Sequence, residues 1–77
     1  MIIYPVIAYR HGDTHKHSYT VAVCDNLELA KQIADEQAVE RAGKYQIQVF
    51  KFTLNQVIPW NRMPEYIIKS QQEQLKN

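Results

Sequence analysis

Asp25-Asn26-Leu27-Glu28-Leu29-Ala30-Lys31-Gln32-Ile33-Ala34-Asp35-Glu36-Gln37-Ala38-Val39-Glu40-Arg41-Ala42-Gly43 is the stretch on which the fold turns. Asp25-Asn26-Leu27-Glu28 has the form of a capping box, an acceptor side chain with Glu three positions later. Gly43 can take the left-handed conformation that follows a helix end, so a helix is expected as far as Ala42. With residues placed at steps of about 100°, Leu27, Ala30, Ile33, Ala34 and Ala38 fall within one arc. Most of these are small or lie near the helix start, which allows a close approach to a sheet. Glu28, Asp35, Glu36 and Glu40 occupy the opposite side, as on an ordinary solvated helix. Gln37 and Arg41 lie inside the apolar arc, where an arginine can lay its stem over apolar surface and keep its head wet.

The flanks of this helix read as strands. Ile2 to Tyr9 is β-branched and aromatic on both alternating sets, which suggests a strand covered on both faces. Pro5 interrupts it, because proline has no N–H to give to a ladder. Arg10 to Lys16 has the polar, Gly-Asp character of a hairpin connection. In the second strand, residues 17–24, Tyr19, Val21 and Val23 alternate with Ser18, Thr20, Ala22 and Cys24, a pattern that predicts one wet face. The third strand spans residues 45–54. Ile47 and Val49 share one phase, and Phe50, Phe52 and Leu54 the other, so either a bulge shifts the phase or both faces are covered. From Asn55 the alternation stops. Val57-Ile58-Pro59-Trp60-Asn61-Arg62-Met63-Pro64 reads as an extended connection, and Pro64 suits the first position of a final helix over residues 65–75.

These elements predict an α+β domain: a three-stranded antiparallel sheet in spatial order 2-1-3, one amphipathic helix on one face, and a short C-terminal helix. Residues 1–54 form the ββαβ core, and residues 55–77 a segment that docks on the core or on a partner. In so small a chain the sheet face away from the helix needs that segment, or another molecule, to cover it.

Composition narrows the classes. Seventy-seven residues make one domain, which buries only about 60% of the surface its unfolded chain exposes. Apolar residues make up 45% of the chain, which argues against disorder. A net charge of +1 offers no bulk attraction for nucleic acid or an anionic membrane. Cys24 stands alone, so no internal disulfide forms, which fits a reducing compartment. Met1 leads into Ile2-Ile3-Tyr4-Pro5 without the basic start of a signal peptide, and no run approaches a membrane span, so a cytoplasmic location is expected.

The candidate chemistry is sparse. His11, His15 and His17, with Asp13, have metal-ligand residue types, but they sit on a turn with no supporting shell, so a solvated turn is the expectation and no metal or cofactor is assigned. Cys24 stands at a helix start, where a thiol pKa can fall, yet Asp25 beside it opposes that effect. Arg10, Lys16, Lys44, Lys51 and Arg62, with Tyr9, Tyr19, Tyr45, Phe50 and Phe52, form the set that could contact single-stranded nucleic acid by stacking on a sheet. Trp60, Met63, Tyr66, Ile67 and Ile68, beside Val57 and Ile58, form the densest apolar group outside the strands and are the expected partner-binding residues.

Tyr19-Thr20-Val21-Ala22-Val23, residues 25–43 and Lys44-Tyr45-Gln46-Ile47-Gln48-Val49 together resemble small phage and bacterial accessory proteins built as strand, strand, helix and strand. The resemblance is one of architecture over residues 2–54. It implies a role in binding and blocking or redirecting a host protein. The resulting expectation is a non-enzymatic protein-interaction module, a homodimer or an inhibitor or adaptor of a larger protein. The alternative is a single-stranded nucleic-acid binder.

Overall fold

The computed structural model describes residues 1–10 and 18–69. Strands β1 (Ile2–Arg10) and β2 (Tyr19–Cys24) are followed by helix α1 (Leu27–Glu40). Strands β3 (Tyr45–Val49), β4 (Phe52–Thr53) and β5 (Tyr66–Ile68) complete the α+β fold. The sheet is antiparallel, in the order β2-β1-β3-β5, with β4 also paired to β1. The expected 2-1-3 order is therefore its inner part, and the expected three-stranded sheet is extended to five strands.

Helix α1 begins one residue later than the capping box predicts. Asn26 is the N-cap, its side chain accepting from the Leu29 N–H at 3.1 Å. Glu28 thus lies in the first turn, where its charge complements the helix dipole without closing a reciprocal box. The helix ends at Glu40, two residues before the expected limit, because Ala42 (φ 55°) and Gly43 (φ 74°) both turn left-handed. The Gly43 N–H closes the end on the Ala38 carbonyl at 3.3 Å.

Ala30 and Ala34 are fully buried against Val6, Ala8, Ile47 and Val49, with Cys24 completing the core cluster. Alanines on the inner helix face let the backbone come close to the sheet, so the residues beneath are either small or stand upright between them. This settles β2. Cys24 and Ala22 stand opposite Tyr4 and Val6, and a bulge at Val21 shifts the register before Thr20 meets Ile7. Ala22 and Cys24 therefore face the helix, while Val23 points away and is 60% exposed. Strict alternation through β2 does not hold, because the inserted residue changes the phase.

Strands β3 and β4 share one register on β1. Val49 stands opposite Val6 and Phe52 opposite Ile3, which sets Phe50 opposite Pro5. The Phe50 N–H donates to the Pro5 carbonyl at 3.0 Å, and proline has no N–H to return. The ladder loses one bond there but not its phase. Of the two alternatives for the third strand, the second applies: Ile47 and Val49 face the helix, and Phe50, 3% exposed, is buried on the other side.

The expected C-terminal helix does not begin at Glu65. Tyr66–Ile68 form β5, with Tyr66, Ile67 and Ile68 opposite Val49, Gln48 and Ile47. The Glu65 N–H donates to the Val49 carbonyl at 2.8 Å. An aromatic residue followed by two isoleucines favours a pleated edge, and the free carbonyls of β3 supply bonds that a short helix would leave unmade. The remainder of that expected helix lies outside the described residues.

Replacing Ala34 by leucine should overpack the helix–sheet contact and lower stability by about 1–3 kcal/mol. Urea titration followed by far-UV circular dichroism would register this as a lower midpoint at unchanged slope. An unchanged midpoint would mean that the helix stands farther from the sheet.

Candidate protein-docking surface

The register divides the strand residues into two faces. The helix takes Tyr4, Val6, Ala8, Ile47, Val49, Tyr66 and Ile68. The rear face takes Ile3, Pro5, Ile7 and Tyr9 from β1, with Phe52, Phe50, Gln48 and Gln46 opposite them. Thr20 and Val23 of β2 and Ile67 of β5 complete it. Among the described strand residues, none of this rear set is charged. The helix, by contrast, carries Glu28, Asp35, Glu36 and Glu40 in exposed positions.

The connection from β4 to β5 crosses part of this face. The Arg62 guanidinium lies 5.5 Å from the Phe50 ring centroid, and Phe50 stacks on Phe52 with centroids 5.5 Å apart. The connection turns at Asn55, whose φ of 69° an asparagine tolerates. Beside it lies a groove of about 470 Å³ lined by Pro5, Ile7, Thr20, Val23, Phe52, Ile58 and Arg62. Trp60, between the two loop residues of that lining, is 90% exposed, while Met63 is 80% and Val57 96% exposed. These large apolar side chains are held in water on the loop whose Ile58 and Arg62 line the groove.

The expected partner-binding residues divide between the two sides. Trp60 and Met63 project from the loop, and Ile67 lies on the rear face. Ile68 and Tyr66 pack on the helix side. The Tyr66 hydroxyl donates to Asp35 Oδ1 at 2.6 Å, and Lys31 Nζ lies 5.5 Å from its ring centroid. These contacts fasten β5 to the helix. The hydrogen bond to Asp35, then burial, then the Asp35 charge raise the Tyr66 pKa above its ordinary 10.0. Ile7, Val23 and Phe52 line the groove and were not among the expected partner-binding residues. The signal available was the second apolar set of β1, since a strand apolar on both sides has two faces to cover.

The nucleic-acid candidates are not gathered on one open surface. Arg41 lies 5.2 Å from the Tyr19 and 5.5 Å from the Tyr45 ring centroids, and its Nη1 donates to the Gln37 side-chain oxygen. This is how a cation inside the apolar arc is accommodated. Arg10 stands opposite Tyr45 at one end of β1, and Lys51 comes level with Tyr4, about 20 Å along the strand. Phe50 is buried, which leaves Tyr9 and Phe52 on the rear face. His11, His15, His17 and Lys16 lie outside the described residues, and among those described no group of His, Cys, Asp and Glu is placed to hold a metal. Cys24 is buried, and burial first, then Asp25, raises its thiol pKa, which keeps it protonated rather than nucleophilic at neutral pH. Among the described residues no helix is long and apolar enough to cross a membrane.

A larger concavity of about 760 Å³ lies by the helix start, lined by Asp25, Glu28, Lys31, Gln32, Asp35 and Tyr66 among others. Its lining is an open, solvated helix flank with a mixture of charges. No protein-family model matches this chain, and neither does any curated protein or solved structure. The described residues make a small α+β domain whose rear sheet face has no charged strand residue and is covered by them only in part.

Replacing Tyr66 by phenylalanine should cost little at neutral pH, at the low end of about 0.5–1.5 kcal/mol, since the lost hydrogen bond is exposed. The wild-type advantage is complete below the unfolded tyrosine pKa and disappears as pH rises through the higher folded value. Urea midpoints of the two proteins should therefore converge in the alkaline range above pH 10.0. A constant difference across that range would exclude the Tyr66–Asp35 bond as its source.

Proposed function

We propose that this chain is a protein-interaction module that docks through its rear sheet face and the loop of residues 54–65. The observation that carries the reading is Trp60, 90% exposed in the loop whose Ile58 and Arg62 line an apolar groove, on a face where no described strand residue is charged. Tryptophan and methionine are typical interface anchors, and leaving them in water has no benefit to an isolated domain. The only ionisable side chain in the groove lining is Arg62, so the groove has an anchor for a partner but no acid–base pair for proton transfer. Binding rather than catalysis is the role that this surface supports.

The edges of the sheet support the same reading. β2 is interrupted by the bulge at Val21, and β5 has three residues, so neither offers a long straight template for an added strand. A partner has more to gain from the face than from an edge.

The double substitution Trp60→Ala with Met63→Ala should leave the fold intact, because both side chains are exposed, and should abolish partner capture from extracts of the native host. Capture followed by mass spectrometry, with wild type and variant immobilised side by side, checks this. Equal recovery of the same proteins by both would refute the assignment of the surface.

A further inference from the structure

We draw no further inference here: the strongest candidate, the groove on the rear sheet face lined by Pro5, Ile7, Val23 and Phe52 with Ile58 and Arg62 of the loop, belongs to the site already described, and nothing in the structure shows what covers it.

Discussion

The close approach of Ala30 and Ala34 to the sheet is the contact on which the rest of the structure depends. It makes a core from very few large side chains, and among the described residues Ile47, Val6 and Val49 are the largest that are fully buried. A helix of 14 residues is about 21 Å long and can cover one face of a small sheet. Everything else follows from that economy. The second strand turns its smallest residues, Ala22 and Cys24, under the helix and sends Val23 outward. Its bulge is the adjustment that keeps Val21 and Tyr19 useful on the same side.

What the helix cannot reach is the other face, and the described residues cover it only locally. The central strand brings Pro5 and Ile7 there, and its partner brings Phe50 and Phe52. The loop from β4 to β5 protects Phe50 with Arg62 and then exposes Val57, Trp60 and Met63. A segment that buried these side chains against its own sheet would be a lid. This one holds them in water instead. The same loop delivers β5 to the free edge of β3, so the geometry of the anchor residues is tied to the strand ladder rather than left to an open tail.

Much of this was legible in the residues. The helix and its small-residue face, the central position of β1 and the partial cover of the rear face all follow from periodicity and side-chain size. Three features did not. The bulge in β2 left no mark, because Tyr19 to Cys24 alternates well enough to look regular. Pro5 argued against a central strand, yet it is accommodated where only its carbonyl is needed. Tyr66-Ile67-Ile68 gave a weak helical stripe and an equally good strand, and the deciding factor was a partner strand distant in sequence. Trp60 and Met63 were named from composition alone. The groove walls at Ile7, Val23 and Phe52 required the register, which no local pattern supplies.

Trp60 is the single tryptophan of the chain, so its fluorescence reports directly on whether the rear surface is an interface. Emission recorded across a dilution series should shift from the long-wavelength position of a hydrated indole to shorter wavelength as concentration rises or as the captured partner is added. An emission maximum that remains at the hydrated position under every such condition would contradict the account, since the side chain on which the surface is centred would never leave water.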